Sequence, residues 1–197
     1  MPRRTLRSEQ KRWLRGLTRI FGSECVAEWP AFAPSVDRYS PRLDLAVGPF
    51  STEAGHRKTE DYRRLAIDHS TFLDTLWSFH VENERRLGAK SDQSPQSLDF
   101  ALSGNNNARC FLAVEIENAV SRKHLMGGIM NAAALGHLGV MVAWTEEKLR
   151  AMFRARSYLF FLESVDKPTM TVRNLLILSR NQADRAFTSG VLLPNER

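Results

Sequence analysis

Cysteine is scarce in this sequence. Cys25 and Cys110 are the only two, too few for a disulfide framework or for a zinc site built on thiolate pairs. Long apolar runs are missing as well. The longest, residues 138–144, falls far short of the roughly 20 residues that span a bilayer, so no membrane contact is expected. The basic first residues are not followed by an apolar stretch of roughly 7–15 residues. A secretory signal peptide is therefore not expected, and the cytoplasm is the expected compartment. The sequence has no Walker glycine loop, no GxGxxG after a strand, no GxSxG elbow and no HExxH. A nucleotide cofactor, an α/β-hydrolase site and a zincin site are left without support.

What is present suits one globular domain with a sizeable core: 197 residues, 43% hydrophobic and 25% charged. The net charge of +6 is unevenly spread. Arg3, Arg4, Arg7, Lys11, Arg12, Arg15 and Arg19 stand against a single acid, Glu9, in the first twenty residues, and the rest of the chain balances. Such a basic helix attracts polyanions through counterion release, nucleic acid being the commonest. A well-solvated terminal helix explains the same charges equally well.

Periodicity divides the chain into a basic helix within residues 1–22 and one α/β domain over 23–197, with a helical and loop insertion at 51–109. Residues 8–21 carry Trp13, Leu14, Leu17, Ile20 and Phe21 at helical spacing, with Ser8 as the expected cap. Pro30 and Pro34 interrupt the next stretch, which has room for a short edge strand. Residues 42–48 alternate cleanly, Leu43, Leu45 and Val47 facing one way and Asp44 the other, and Gly48-Pro49 ends the strand. Residues 59–87 predict a long helix capped by Thr59, with a break near Ser70-Thr71. Residues 88–109 form a long polar connection, of a length that is usually functional or mobile. Strands are expected at 110–117, at 138–144 (buried on both faces) and at 174–179. Helices are expected at 121–135, closed by Gly136, and at 145–165, capped by Thr145. A short helix follows the last strand. The order implies a mixed sheet flanked by helices, with the Asp44 strand antiparallel to its neighbour. Trp77, Trp144, Phe160 and Phe161 are expected in the core, and His56, His69, His80, His124 and His137 as structural or solvated residues.

The chemistry centres on the strand at 110–117. Glu115 and Glu117 emerge on one face while Leu112, Val114 and Ile116 enter the other. Carboxylates about 6–7 Å apart along a strand repel unless something positive lies between them, and magnesium takes one or two carboxylates while keeping several waters. Asp44 would join them if the two strands pair. Lys123 lies in the first turn of the next helix, where Lys123, Gly127 and Asn131 share one face. Gly127 and Gly128 cost about 1 kcal/mol each inside a helix, which close packing on the sheet or on a substrate would explain.

Pro41-Arg42-Leu43-Asp44-Leu45, Val114-Glu115-Ile116-Glu117-Asn118 and the helix bearing Lys123, His124 and Asn131 resemble the PD-(D/E)xK nucleases of the restriction-endonuclease-like superfamily. The likeness covers residues 40–48 and 110–144, with only the order of elements elsewhere. Two features depart from the family pattern. Pro41 lies three positions before Asp44 rather than next to it, and Glu117 occupies the usual lysine position. An acid there is a minority variant in the family, and Lys123 would be a lysine migrated to the following helix. The resemblance implies Mg²⁺, or Mn²⁺, held by Asp44, Glu115, Glu117 and the carbonyl of Ile116. Glu117 would also orient the attacking water, and Lys123 would stabilise the charge on the phosphate. DNA is the implied substrate, with Arg3, Arg4, Arg7, Lys11, Arg12 and Asn131 contacting it. A homodimer is plausible because a duplex has two strands to cut.

Each residue also has a plainer reading. Glu115 and Glu117 fit a solvated face paired with arginines, Asp44 a surface acid bonded to Arg42 or Arg38, Lys123 a solvated side chain, and Asn131 a buried hydrogen-bonding residue. Two functions follow: a metal-dependent endodeoxyribonuclease, or the same fold with a degraded site serving as a nucleic-acid or protein-binding module.

Overall fold

The computed structural model describes residues 5–22, 24–33, 39–52, 58–88, 97–118, 122–167 and 170–188. Arg3, Arg4, His56, Arg38, residues 89–96 of the polar connection and Ser121 lie outside the described residues. The first helix, α1 (Leu6–Phe21), is capped by Thr5, whose side chain accepts the Ser8 N–H; the cap falls three residues before the expected Ser8. Gly22 ends α1 in the left-handed region (φ 66°) and donates its N–H to the Thr18 carbonyl. Strands β1 (Cys25–Pro30) and β2 (Arg42–Val47) follow.

The long helix expected at 59–87 is two helices, α2 (Thr59–Asp68) and α3 (Ser70–Leu87), parted at His69. Thr59 is the first helical residue and not the cap, since no side chain caps α2. The segment read as an insertion contributes directly to the core, through Tyr62, Phe72, Leu73 and Leu76. Part of the polar connection forms a short helix, α4 (Leu98–Leu102). Then come β3 (Cys110–Glu117), α5 (Arg122–Leu135), β4 (Gly136–Ala143), α6 (Glu146–Ser164), β5 (Leu175–Ser179) and α7 (Arg180–Thr188). No helix among the described residues is long and apolar enough to cross a membrane.

The five strands form one sheet in the order β1-β2-β3-β4-β5, antiparallel from β1 to β3 and parallel from β3 to β5. The chain is therefore a single α/β domain with a mixed sheet flanked by helices, as the order of elements implies. Alternation along the strands sorts side chains to two faces. Val114, Val140 and Leu178 meet Trp13, Leu17, Leu73, Leu76 and Phe187 on one face. Met141, Ala143 and Ile177 meet Ile129, Ala132, Leu149, Met152 and Phe153 from α5 and α6 on the other. Phe161, expected in the core, instead points outward from α6 and is 54% exposed.

Helix α5 runs directly into β4, so its last carbonyls need partners from elsewhere. Asn105 Nδ2 donates to the carbonyls of Ala133, Ala134 and Gly136 at 2.9–3.0 Å, and Asn174 Nδ2 donates to those of Ala133 and Gly136. Gly136 does not close the helix. It opens β4 at a point where a Cβ would come within 2.8 Å of the Ala113 Cβ.

An unpaired outer edge is a hazard for any sheet, and at β5 helix α3 covers it. His80 Nδ1 accepts the Ile177 N–H at 3.0 Å, Asn83 Nδ2 donates to the Ile177 carbonyl at 3.1 Å, and Gln182 Oε1 accepts the Ser179 N–H at 2.9 Å. His80 is fully buried, with Glu84 Oε1 3.2 Å from its Nε2 and Arg156 bonded to the same Glu84 at 2.5 Å. Burial, and then the Arg156 charge, hold His80 below its ordinary value of 6.5, so the ring is neutral in the fold and Nδ1 stays an acceptor. The unfolded chain takes up this proton as pH falls through 6.5 and the folded chain does not. Stability tied to His80 is thus complete above that value and is lost below it, by about 1.4 kcal/mol per pH unit. The stability difference between wild type and His80→Gln, from urea denaturation, should shrink steadily from pH 7 to pH 5. A constant difference would refute the neutral acceptor role.

Candidate active site

Strand pairing brings two of the acids together. β2 and β3 pair antiparallel with Leu45 opposite Val114 and Val47 opposite Leu112, and the ladder stops there. One step further the backbones separate and the Asp44 side chain takes over. Its Oδ2 accepts the Ile116 N–H at 2.6 Å, in place of a carbonyl from β2. The same register sets Asp44 and Glu115 opposite each other on the face covered by α5. The two carboxyl groups lie near enough to act on each other's ionisation. Asp44 therefore turns to Ile116 and Glu115, not to the surface.

This pair is electrostatically uncomfortable. The Glu115 carboxyl is pushed up to about 9 from an ordinary 4.5, by burial first and then by the charge on Asp44, while the Asn131 amide works against the rise. Asp44 is raised as well, by burial foremost and by the charge of Glu28, with the Ile116 N–H opposing. Two acids in one half-buried site cannot both ionise cheaply, so at neutral pH they hold a proton between them. Glu117 lies on the same strand face, buried, and its charge presses on both. Among the described residues, no group of three His, Cys, Asp or Glu side chains is drawn together as a ready-made metal site.

Glu115 opens into a cleft of about 530 Å³, lined also by Leu6, Tyr39, Arg42, Ile116, Glu117, Asn118 and Met141. Lys123, His124, Gly127, Gly128 and Asn131 of α5 form its other wall. The expected shared face of Lys123, Gly127 and Asn131 thus looks into the cleft. Asn131 Nδ2 donates to Glu115 Oε1 at 3.3 Å, so its amide serves the acid pair. Gly128 has a packing reason: a Cβ there would stand 3.3 Å from the Met141 Cε and 3.8 Å from the Glu115 Cβ. Of the basic residues on α1, Arg7, Lys11, Arg15 and Arg19 are exposed. Arg12 is committed inside the fold to Glu9 and Asp184, which removes it from the surface set.

Sequence reading missed two contributors. Gln10 is buried on α1, and its Nε2 donates to the Asp44 carbonyl at 2.8 Å and to Glu28 Oε1 at 2.9 Å. It ties α1 to β1 and β2 beside the acids. The signal was there: Gln10 is a polar residue in the buried stripe of Leu6, Trp13 and Leu17. Glu28 sits between the pairs Ala27–Leu45 and Trp29–Leu43, across from Asp44, in a left-handed conformation (φ 52°) that few non-glycine residues adopt. No family model, curated protein or solved structure matches this chain.

The donor set fits a hard divalent cation. It has two carboxylates that repel, and a strand edge at Ile116 that is free of β2 and carries its carbonyl beside its N–H. Without an ion the pair weakens the fold as pH rises. Glu115 holds a proton in the folded protein that the unfolded chain releases above 4.5, so its contribution is full below 4.5 and is lost as pH climbs towards 9. In chelator at pH 8, Glu115→Gln should stabilise the protein by about 1–3 kcal/mol and flatten the fall in stability between pH 5 and 9. Glutamine is able to accept the Asn131 amide as Glu115 does and to offer an N–H to Asp44. Urea denaturation checks this, and a destabilised Glu115→Gln protein would contradict the shared-proton pair.

Proposed function

We propose that the protein is a metal-dependent nuclease that hydrolyses phosphodiester bonds in DNA at the Asp44–Glu115 cleft. The observation that carries this reading is the half-buried pair of facing carboxyl groups, Asp44 bonded to the Ile116 N–H and Glu115 lining an open cleft. Such a pair costs stability and is explained by a cation that it holds during work. Asp44 and Glu115 would be the carboxylate ligands of Mg²⁺ or Mn²⁺, with the Ile116 carbonyl a third donor. When bound, the ion supplies Lewis acidity and a more acidic water. Asn131 fixes the rotamer of Glu115, and the Ile116 N–H fixes that of Asp44. Glu117 orients the attacking water from the cleft wall and accepts its proton. Lys123, on the opposite wall, offsets the charge that builds on the phosphate oxygens. Arg7 and Lys11, exposed on α1 beyond Leu6 at the cleft, attract the strand.

A second reading, a nuclease-like fold that only binds nucleic acid or a protein, is favoured by Glu117 standing where the family pattern has lysine. Ion titration separates the two. On the enzymatic reading, millimolar Mg²⁺ raises the melting temperature by several degrees, more at pH 8 than at pH 6, because the ion competes with the shared proton. Glu115→Gln abolishes both this shift and plasmid nicking. An equal shift in Glu115→Gln, or plasmid and single-stranded DNA both left intact by wild type in Mg²⁺ and Mn²⁺, would favour the binding module.

A further inference from the structure

Two features of the cleft remain without a task in the hydrolytic site. Tyr39 lines it yet is 88% exposed, an aromatic ring left in water at the rim. Gly127 lines it from α5, and a Cβ there would meet no atom within 4 Å. Its neighbour Gly128 is required by Met141 and Glu115, whereas nothing inside the protein requires Gly127. A glycine in a helix interior disfavours the helix, so a position with open space around it would ordinarily carry a side chain. Its absence keeps the wall beside Glu115 low.

Resting on the nuclease reading, we propose that the cleft takes an unpaired nucleotide, with Tyr39 stacking on its base and Gly127 admitting its sugar-phosphate backbone towards Glu115. A base inside a duplex has its faces covered by neighbouring bases, so a ring at the rim is able to stack only on one that is unpaired. The cleft of about 530 Å³ has the size of a small-ligand pocket and matches a single nucleotide better than a double helix. Arg42, Lys123 and His124 line the same cleft and complement a phosphate on either side of the bound unit. The substrate class is therefore single-stranded DNA or an unpaired flap, and Tyr39 is the residue that selects it.

The test uses the full chain in Ca²⁺ with a single-stranded oligonucleotide carrying 2-aminopurine, and the same oligonucleotide annealed to its complement. Binding to wild type should quench the fluorescence of the single strand. Tyr39→Phe should keep the quench, and Tyr39→Ala should lose it and weaken binding about tenfold with an unchanged melting temperature. Gly127→Ala should raise the melting temperature while weakening single-strand binding. Equal binding of both forms, with Tyr39→Ala without effect, overturns this inference and leaves the nuclease reading standing if plasmid is still nicked in Mg²⁺. If neither form binds and neither plasmid nor single-stranded DNA is cut in Mg²⁺, both fall together.

Discussion

Where β2 and β3 part, one backbone amide, that of Ile116, is left without a carbonyl, and the Asp44 carboxylate takes it at 2.6 Å. Most of the site depends on that bond. It holds Asp44 on the α5 face of the sheet, opposite Glu115, and frees the strand edge on which the Ile116 carbonyl lies. It also keeps an acidic group where burial and the charge of Glu28 both disfavour ionisation. A charge-assisted hydrogen bond to a main-chain N–H is strong enough to do this where a surface ion pair would not be. Gln10 secures the same point from below, bonding the Asp44 carbonyl and Glu28 with one amide group.

The two ends of the parallel half of the sheet treat polar groups in opposite ways. At β5, donors and acceptors are matched: His80, Asn83 and Gln182 satisfy Ile177 and Ser179, and the open edge is closed. At β3, two carboxyl groups are left side by side, one of them lining a cleft. The fold thus satisfies the backbone groups of one strand with side chains and leaves two acids of the other in each other's company. The difference has the character of a working site set against a structural one.

Much of the architecture was legible because side-chain period reports backbone geometry. Alternation marked β2 and β3, and helical spacing marked α1, α5 and α6, with Thr145 capping α6 through the Lys148 N–H. Boundaries were harder. Thr5 caps α1 because local hydrogen bonding decides between nearby hydroxyls, and Thr5 and Ser8 are equally suitable as residue types. β1 was obscured by prolines, and with it Glu28. Phe161 shows the limit of hydropathy: Phe160 packs against the core while its neighbour faces solvent, since a helix turns 100° per residue. Arg12 shows the limit of counting charges, for its partners Glu9 and Asp184 come from its own helix and from α7.

The sequence by itself determined that Glu115 and Glu117 share a face, that Asp44 stands on the polar side of its strand, and that Lys123, Gly127 and Asn131 line one side of a helix. Those facts follow from periods of two and 3.6 residues, which are properties of the local chain. Only the tertiary structure decided that Asp44 meets Glu115. It alone decided that Asn131 bonds Glu115 and that Gln10 locks the arrangement. These depend on the register between strands and on the seating of helices, which residues far apart in sequence set together.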